Sequence, residues 1–482
     1  MAKLNKNNFS EWYNEIIKEA EIIDLRYNVK GFIVYRPWGM FVLKKMYSMY
    51  EKVLEENGHM PVHFPAVIPI EYFKKEEEHI KGFEGEVFWI TRAGLNELAK
   101  EEIVVLRPTS ETAIYPMFSL WINGAKDLPL KVYQSGTVWR YETKATRPLI
   151  RGREILWIET HCAFNNEKNA RNQIKQDIEI AERVVKHIFG IPFIFFRRPE
   201  WDKFAGAEET YAADTLMPDS RVLQILTTHL LGNNFSKPFN IMFLDVDGKK
   251  KYVWQTTCGP GMQRFLAAMI SWHGDEKGLF FPLDLSPIQI VIVPIFVKEN
   301  KESIFHYAKS IEHKLKALGY RAYADLTEDE SPGFKFNKWE LKGVPIRIEL
   351  GQKEMESNTI TYVLRKSNEK RKTSIDNISV VFEEYRKHFE HIIKENIDAL
   401  NKNIREAKTF DEIEKHLEKG IVRVPFCSIG NDGKECYKEI KEKLQAEVRG
   451  ERADIKESPV HNEKCIICGR EAKVFAYIAK QY

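Results

Sequence analysis

The sequence contains no apolar run long enough to cross a membrane. Its longest apolar run extends from Pro287 to Val297, and Pro294 interrupts that run. A membrane-spanning helix needs about 20 apolar residues in succession. The N-terminal segment MAKLNKNNFSEWYNEIIKEAE is polar and lacks the apolar core of a signal peptide. We therefore expect a cytoplasmic protein that has no membrane partner.

The sequence also carries little net charge. Its 73 lysines and arginines nearly balance its 70 aspartates and glutamates, which leaves a net charge of +3. This balance does not demand a nucleic-acid partner, although it permits local basic patches. Hydrophobic residues make up 43% of the chain and charged residues 30%, as is typical of a globular protein. Because 482 residues exceed one ordinary hydrophobic core, we expect several domains.

Cysteine is scarce, and most of it is concentrated near the C-terminus. The sequence has six cysteines. Four of them form a C-x8-C pair and a C-x2-C pair: Cys427, Cys436, Cys465 and Cys468. In a cytoplasmic protein such clustering favours a metal over disulfides, and four thiolates suit a tetrahedral Zn²⁺ site with no position open to water. We predict a structural zinc site, with four merely buried thiols as the alternative.

The segment from Val132 to Phe164 is predicted to form a strand, a charged loop and a second strand. Arg140 and Glu142 end the first strand on the same face, because they are two residues apart. The second strand places three residues on one face: Trp157, Glu159 and His161. A cationic hairpin beside such a face suits a polyphosphate next to a small zwitterion. The alternative is a solvated surface hairpin, which a charge run alone would favour.

The order of WRYE, a basic loop and RGRE in this segment resembles motif 2 of class II aminoacyl-tRNA synthetases. The surrounding sequence resembles prolyl-tRNA synthetases of the archaeal and eukaryotic-like type, and the resemblance covers nearly all of the chain. It implies an α+β and α/β multidomain fold. The parts would be an antiparallel-sheet catalytic domain (1–284), an α/β anticodon-binding domain (285–390) and a C-terminal zinc-binding α+β module (391–482).

The resemblance also implies an activity and partners. The reaction would be the ATP-dependent attachment of L-proline to tRNA-Pro through a prolyl-adenylate, with Mg²⁺ accompanying ATP, in a homodimer. Arginine suits a triphosphate because its fork binds phosphate oxygens bidentately and stays charged. The implied ATP-binding residues are Arg140, Glu142 and Arg151 in the hairpin, Gln224 and Thr227 in QILTTH, and Arg264 in TTCGPGMQR. Arg140 and Arg264 would also stabilise charge during the reaction.

A second set of residues would bind proline. LRPTSE resembles the loop of class II enzymes that binds the substrate amino group, and it supplies Thr109 and Glu111. The remaining candidates are Trp157, Glu159, His161 and His229. A proline ring offers little beyond its shape and a secondary ammonium, so a flat wall with polar ends suits it. Taken alone, His161 would more often be a satisfied core histidine. PEWDKFAGA (199–207) resembles the family's proline-binding loop, which closes over the adenylate.

Two features bear on fidelity. The segment TTCGPGMQR resembles motif 3 of the class II enzymes. It reads C-G-P-G-M-Q-R where the family usually has S-W-G-L-S-T-R, so Cys258 stands where serine is common. This departure predicts side activation of cysteine or alanine. Motifs 2 and 3 are separated by about ninety residues that all fit the fold, which leaves no editing insertion. We therefore expect no cis hydrolysis of mischarged tRNA.

The rest of the chain gives a coarse map. Periodicity predicts helices over 11–20, 41–54 and 170–189, and the motif-1-like segment MPVHFPAVIP (60–69) is predicted as one buried strand. Beyond FPLDLSP (281–287), strands and helices alternate, which predicts an α/β domain with a largely parallel sheet. A helical stretch over 375–417 would then lead to the cysteines. The chain ends on Tyr482, and in relatives of this type the terminal tyrosine approaches the active site.

SPGFKFNKWELKGVPIRIELGQKE (331–354) resembles the anticodon-binding domain shared by several class II enzymes. Within a predicted β-turn-β unit, Glu340, Arg347 and Lys353 would read a G-G doublet, and Phe336 would stack on a base. Each could individually be a solvated charge. Two rival functions stay open. One is a class II synthetase for threonine, serine or glycine, although no Cys/His trio for a threonyl-type catalytic zinc is visible. The other is a nucleotide or RNA sensor without activity.

Overall fold

The computed structural model describes residues 4–75, 84–367, 369–460 and 462–482. The first of three successive regions contains these elements: α1 (Phe9–Glu19), β1 (Ile23–Asp24), β2 (Val34–Tyr35), α2 (Pro37–Glu56), β3 (Met60–Pro61), β4 (Val67–Pro69), α3 (Ile70–Phe73), β5 (Phe88–Ile90), β6 (Arg92–Ala93), β7 (Asn96–Glu97), β8 (Val104–Leu106), α4 (Glu111–Trp121), β9 (Leu130–Trp139), β10 (Glu154–Phe164), α5 (Glu167–Ala181, continued by a π-helical turn over Glu182–Ile188), β11 (Ile194–Arg197), β12 (Glu209–Leu216), β13 (Val222–Gly232), β14 (Met242–Leu244), β15 (Lys250–Tyr252), β16 (Trp254–Pro260) and α6 (Met262–His273).

The second and third regions are smaller. The second contains β17 (Ile290–Pro294), α7 (Lys301–Ala317), β18 (Ala322–Ala324), α8 (Pro332–Leu341), β19 (Ile346–Leu350), α9 (Gln352–Ser357), β20 (Thr359–Leu364), β21 (Arg371–Ser374) and α10 (Ile378–Lys402). The third, which we call the C-terminal module, contains β22 (Ile404–Glu406), α11 (Phe410–Leu417), β23 (Ile421–Phe426), α12 (Lys434–Leu444), β24 (Glu447–Arg452) and β25 (Val474–Ala479).

A sheet of 11 strands runs through the first region and the C-terminal module, in the order β22-β23-β25-β24-β11-β12-β13-β16-β10-β9-β3. Neighbouring strands in this sheet are antiparallel except at its two ends. There β22 pairs in parallel with β23, and β3 pairs in parallel with β9. The predicted antiparallel sheet is thus confirmed. The module joins through β24 and β11, where Phe196 lies opposite Arg452. The C-terminal module therefore continues the sheet of the first region.

Strand β10 shows how this sheet separates the hydrophobic core from the functional face. Ile158 packs into a core built with side chains of α1, α2 and α6, and Cys162 packs with Ile174 of α5. Helix α5 begins where the Asn166 side chain accepts the backbone N–H of Asn169, as an N-cap does. Because side chains alternate along a strand, the intervening residues point to the opposite face. They are Trp157, Glu159 and His161.

The second region has a five-stranded sheet in the order β18-β17-β19-β20-β21. Strands β18, β17 and β19 are parallel, whereas β20 and β21 pair antiparallel. The predicted α/β character is confirmed, although the sheet is mixed and not largely parallel. The unit predicted as β-turn-β is wrong, because 332–357 forms helix α8, strand β19 and helix α9. Ser331 caps α8 by accepting the Phe334 backbone N–H, and Pro332 occupies its first turn, which are strong helix-start signals.

Two further elements differ from the predictions. The single buried strand over 60–69 is wrong: β3 and β4 belong to different sheets, and Met60 is 55% exposed. Prolines at 61, 65 and 69 lack the N–H that a continuous ladder needs. The helix over 375–417 is interrupted by β22, which pairs with β23. No helix in the described ranges, not even α10 with its 25 residues, combines the length and apolarity needed to cross a membrane.

Candidate active site

Two adjoining cavities open on the face of the 11-stranded sheet that carries Trp157. The first, of about 260 Å³, is lined mainly from the β9–β10 hairpin, β13 and the start of α6. The second, of about 230 Å³, is lined from β10, β12, β13, β16, the start of α4 and the loop 199–207. The two linings have five residues in common: Arg140, Trp157, Gln224, Thr227 and Gly259. One ligand can therefore extend from one cavity into the other.

Three arginines make the first cavity cationic: Arg140, Arg151 and Arg264. The Nε of Arg140 donates to the carbonyl of Pro108 at 3.0 Å, and the Nε of Arg264 donates to that of Ile150 at 3.1 Å. Burial, followed by repulsion from Arg140 and Arg151, lowers the pKa of Arg264 to about 10. Arg264 is still protonated at neutral pH, so three positive charges converge on one space. This concentration favours a polyanionic ligand.

Two carboxylates stand among these arginines. Glu86 and Glu142 both line the first cavity, and Arg151 Nε lies 3.7 Å from a Glu142 carboxylate oxygen. Arg153, also in the hairpin, does not line the cavity. It donates twice to the Glu142 carbonyl at 3.1 Å and stacks on Tyr141 at 4.0 Å. Arg153 therefore shapes the hairpin, whereas Arg151 faces the ligand space.

Glu159 gives the second cavity a negative charge. It is 1% exposed and accepts hydrogen bonds from the Ser110 hydroxyl at 2.5 Å and the Gln134 amide at 2.7 Å. Burial raises the pKa of Glu159, but the His161 imidazole and these two donors outweigh burial and hold that pKa below its usual value. The carboxylate is therefore ionised at neutral pH, and it favours a cationic group nearby.

His161 does not line either cavity. Its Nε2 lies 3.2 Å from Glu159, and its Nδ1 lies 3.2 Å from the Tyr115 hydroxyl. His161 is fully buried. His161 therefore lies behind Glu159 and contributes no surface to the cavity. This position does not fit the predicted direct contact between His161 and a substrate.

Thr109 and Glu111 line the second cavity, as their sequence context predicts. The Thr109 hydroxyl donates to the Glu111 carboxylate. The segment is not extended, because β8 ends at Leu106 and α4 begins at Glu111. Arg107 turns away and donates to the carbonyls of Thr137 and Phe64, both at 2.9 Å. Arg107 thus holds the backbone and has no part in the cavity.

His229 lines the second cavity as a neutral group. Burial, and then repulsion from Arg140, lowers the pKa of His229 to about 3. Its two ring nitrogens lie 2.9 Å from the Thr210 hydroxyl and 3.0 Å from the Thr227 hydroxyl. The ring of Phe204 packs against it with centroids 4.6 Å apart. His229 and Phe204 form an apolar wall whose polar edge is already satisfied.

The loop 199–207 contributes Asp202, Lys203 and Phe204 to this cavity. Sequence reasoning identified the loop as a whole but none of these residues. The loop is fastened to the C-terminal module, because the Glu200 N–H donates to the Ile429 carbonyl at 2.9 Å. Cys258 lines the same cavity. Arg198, just before the loop, was also missed: its guanidinium donates to the Gln224 side-chain oxygen at 3.0 Å.

Tyr482 reaches the hairpin that bears the arginines. Its hydroxyl donates to Asp219 at 2.6 Å, and the guanidinium of Arg147 lies 5.1 Å from its ring. Arg147 in turn lies 3.8 Å from Asp219. Tyr482 therefore contacts Arg147 in the loop between β9 and β10, the loop that also carries Arg151 of the first cavity.

In the second region, three of the four predicted residues meet in one cleft. Arg347 pairs with Glu340 at 2.8 Å and stacks on the ring of Phe336 at 4.1 Å. A further pair with Glu349 at 3.0 Å fixes its guanidinium. Lys353 lies on α9, is exposed and does not line this cleft. The structure thus brings Glu340 and Arg347 together but leaves Lys353 apart.

The four C-terminal cysteines converge. Their sulfur atoms all lie within 4.8 Å of one another, and those of Cys427 and Cys436 are 3.6 Å apart. Four thiolates around one zinc ion would be spaced by about 3.8 Å, given a Zn–S distance of about 2.3 Å. Arg470 donates to the sulfurs of Cys468 and Cys427 at 3.3 Å. Its positive charge would offset part of the charge of such a centre, so this donor set fits zinc.

Comparisons with known proteins agree along the whole chain. Residues 93–273 match the family model "tRNA synthetase class II core domain (G, H, P, S and T)", residues 289–385 match "Anticodon binding domain", and residues 410–482 match "Prolyl-tRNA synthetase, C-terminal". The proline–tRNA ligase of Thermofilum pendens is 48% identical over 98% of this chain and 97% of its own length. That of Pyrococcus abyssi is 44% identical over 98% of both. The structure of the Giardia lamblia prolyl-tRNA synthetase in complex with prolyl-adenylate is similar with a TM-score of 0.94 and 37% identity, over 100% of this chain and 99% of that one.

Proposed function

We propose that the first, cationic cavity binds ATP and that the second, acidic cavity binds L-proline. The premise is that this chain belongs to the prolyl-tRNA synthetase family of class II aminoacyl-tRNA synthetases. The reaction is the ATP-dependent ligation of proline to tRNA-Pro. One observation carries the assignment of the cavities. A space lined by three arginines adjoins a space lined by Glu111 and Glu159, and Arg140 lines both.

In the first step, the proline carboxylate attacks the α-phosphorus of ATP. A P–O bond to that carboxylate forms as the bond to pyrophosphate breaks. Arg140 lies where the two cavities meet, so it is our candidate for the α-phosphate, and Arg151 and Arg264 are candidates for the outer phosphates. Their charge would stabilise the charge that develops in the transition state, and their fixed contacts would orient the reactants.

Proline would be held through its ammonium and its ring. Glu111, Thr109 and Glu159 provide the negative charge and acceptors for the secondary ammonium. Trp157, Phe204 and neutral His229 provide apolar walls for the ring. We assign His161 the role of orienting Glu159, because it does not line the cavity.

In the second step, the terminal ribose hydroxyl of tRNA-Pro attacks the adenylate carbonyl and releases AMP. Among the described residues that line the two cavities, we identify no protein base for the hydroxyl proton. The pKa of His229, lowered to about 3 by burial and by Arg140, makes it a poor base at neutral pH. A phosphate oxygen of the adenylate is our candidate acceptor for that proton.

Two metal ions belong to this proposal. Mg²⁺ bound with ATP would neutralise phosphate charge, and Mg²⁺ usually takes one or two protein carboxylates together with phosphates and water. Glu86 and Glu142, the two carboxylates that line the cationic cavity, are the candidate ligands, whereas the side-chain oxygen of Gln224 is already engaged by Arg198. Zn²⁺ would occupy the four cysteines as a structural ion.

We further propose how the protein binds tRNA and how its chains associate. The Glu340–Arg347 cleft would read the anticodon, without Lys353. Strand β3 forms an edge of the large sheet and exposes Met60 by 55%; an open edge of this kind suits a homodimer contact. Light scattering should then give twice the 56.5 kDa of one chain. We propose the division 1–284, 285–390 and 391–482 with its second boundary moved to residue 402, because a boundary at 390 would divide helix α10, and we propose a cytoplasmic location.

Proline-dependent exchange of pyrophosphate into ATP tests the activity. The purified protein should catalyse exchange with proline, and the same assay with threonine, serine and glycine should give only background. Exchange driven by one of those three, with none by proline, would replace the substrate assignment. No exchange with any amino acid would favour a sensor without activity.

Fidelity is a separate part of the proposal. Cys258 lines the amino-acid cavity, and we propose weak activation of cysteine or alanine there. We also propose that the chain has no cis-editing activity. The exchange assay with cysteine and alanine tests the first point. Rapid hydrolysis of Ala-tRNA-Pro by the purified protein would contradict the second.

A further inference from the structure

A buried group of charges connects the C-terminal module to the two cavities. Arg449 lies on β24 and is 1% exposed, and Asp214 lies on β12 and is fully buried. The Nε of Arg449 donates to one Asp214 oxygen at 2.7 Å, and its Nη2 donates to the other at 3.2 Å. This two-point contact sets both the distance and the orientation of the carboxylate. It joins two residues that are 235 positions apart in the sequence.

A second arginine continues the connection to the cavity wall. The Nη2 of Arg198 donates to Asp214 at 2.7 Å and to the Gln224 side-chain oxygen at 3.0 Å. The Nη1 of Arg198 donates to the backbone carbonyl of Arg449 at 3.0 Å. Arg198 is therefore fixed on one side by the C-terminal module, and on the other it holds Gln224.

The contact from Arg198 decides which way the Gln224 amide points. A guanidinium only donates hydrogen bonds, so the atom that faces Arg198 must be the amide oxygen. The NH₂ group of Gln224 is then directed away from Arg198. Because Gln224 lines both cavities, its NH₂ group is a donor for ligand oxygens in the wall between them. A flipped amide would present an acceptor there instead.

We propose that Arg449 is a positioning residue of the active site: through Asp214 and Arg198 it fixes the amide of Gln224 with its donor toward the ligand. The C-terminal module thereby contributes to substrate binding without touching substrate. This inference rests on the proposed function, because it assigns Gln224 to the ligand-binding wall. Burial alone would raise the pKa of Asp214, but Arg198 and Arg449 hold it below its usual value, so the pair stays charged.

Kinetics of pyrophosphate exchange test the proposal with Arg449→Lys. Lysine keeps the charge next to Asp214 but cannot make the two-point contact. We expect kcat/KM for ATP to fall by about twofold to tenfold, the range that one hydrogen bond usually contributes. The change should appear mainly in KM, since the Gln224 donor binds ground state and transition state alike.

The matched control is Arg423→Lys in the same module. Arg423 also pairs with two carboxylates, Glu406 at 2.7 Å and Glu457 at 2.9 Å, but none of these three residues lines either cavity. If the module only stabilises the fold, both variants should lose thermal stability and neither should change KM. An equal KM for ATP in Arg449→Lys and Arg423→Lys would overturn the proposal.

A double-mutant cycle identifies the route. Arg449→Lys should have little further effect on KM once Gln224→Ala is present, because residues that act through one another are not additive. Full additivity would show that Arg449 acts by another path and would overturn the proposal. Wild-type exchange with proline, measured alongside, separates a failure of this inference from a failure of the proposed function.

A substitution at an exposed residue provides a second test if Arg449→Lys does not fold. Gln481 accepts a hydrogen bond from the Nη1 of Arg449, and Gln481 is exposed. Gln481→Ala therefore removes one contact that holds the Arg449 guanidinium in place, while both partners of each buried ion pair remain. We expect about a twofold rise in KM for ATP, absent in the Gln224→Ala background. A KM equal to that of the wild type would count against the role of Arg449.

Discussion

Trp201 stacks on Tyr437, with ring centroids 5.2 Å apart and planes inclined by 19°. Trp201 belongs to the loop that lines the second cavity, and Tyr437 directly follows Cys436, one of the four converging cysteines. The neighbouring backbone bond from Glu200 to Ile429 holds the same loop, two residues after Cys427. The loop therefore derives part of its position from the segments that carry the cysteines.

Replacing Tyr437 should weaken proline binding. An aromatic pair contributes about 0.5–1.5 kcal/mol beyond burial of its surface, so Tyr437→Ala should raise KM for proline by about twofold to tenfold in pyrophosphate exchange. Phe382→Ala is the control, since Phe382 stacks on Tyr320 at 3.8 Å in the second region. That variant should lose thermal stability and keep its KM for proline. A rise of the same size in both variants would refute the role of Tyr437.

Replacing one of the four converging cysteines should lower the zinc content and the thermal stability of the protein. Cys468→Ser removes one of four ligands, and we expect the purified protein to contain much less zinc than one ion per chain. Thermal unfolding should begin at a lower temperature, because a structural zinc site contributes directly to folding. Cys162→Ala changes a buried cysteine outside the set and should keep the zinc. Equal zinc content in both variants, measured by elemental analysis, would rule out the four-cysteine site.

Arg264→Lys tests the cationic cavity. Lysine keeps the charge but loses the fork that contacts the carbonyls of Ile150 and Gln224. Because hydrogen bonds to charged groups contribute about 1.5–3 kcal/mol, kcat/KM for ATP should fall by about tenfold to a hundredfold. The control is Arg153→Lys, in the same hairpin but outside the cavity. This variant should change kcat/KM for ATP by less than about threefold. The assignment fails if Arg153→Lys has the larger effect.

Two buried histidines should make the protein less stable in mild acid. Burial, the larger cause in each case, lowers the pKa of His229 and of His273 to about 3, whereas an unfolded histidine has a pKa of about 6.5. Below pH 6.5 the unfolded state binds protons that the folded state does not, so the free energy of unfolding decreases as pH falls from about 6.5 toward 3. Above pH 6.5 these groups should make no difference.

His273→Gln isolates one of the two. The His273 ring nitrogen lies 3.0 Å from the Phe189 carbonyl, and a glutamine amide can donate there without titrating. Denaturant unfolding should show a shallower loss of stability between pH 6 and pH 4 in this variant than in the wild type. Parallel curves for the two proteins would contradict the assignment.

Local sequence patterns were enough to predict which candidate residues on one element share a face or a cavity. Alternation along β10 correctly separated Glu159 from the core residue Ile158, and the hairpin arginines Arg140 and Arg151 line one cavity. His161 shares the face of Glu159 but lies behind it. Strand alternation specifies a face and not a depth, so a second residue on the same face can be fully buried.

Contacts between distant segments could not be predicted in this way. Arg198 directly follows β11, so its bond to Gln224 on β13 depends on the pairing of β11 with β12 and of β12 with β13. The Arg198–Arg449 bond joins residues 251 positions apart. Nothing in the local composition around Arg449 distinguishes it from a solvated strand residue. For Lys353 the error was the reverse, since residues close in sequence were expected to lie together. The segment 331–354 was treated as one local unit, but it contributes to α8, β19 and α9, so Lys353 lies apart from Glu340 and Arg347.

The continuation of the large sheet by β24 has a consequence for synthesis on the ribosome. Strand β11 pairs with β12 on one side and with β24 on the other, and the Arg198–Arg449 separation of 251 residues measures the delay between them. At about 5–20 residues per second, the nascent chain carries an unpaired strand edge at β11 for roughly 10–50 s. Open edges template aggregation, so a nascent-chain chaperone that covers β11 during this interval should raise the yield of active protein.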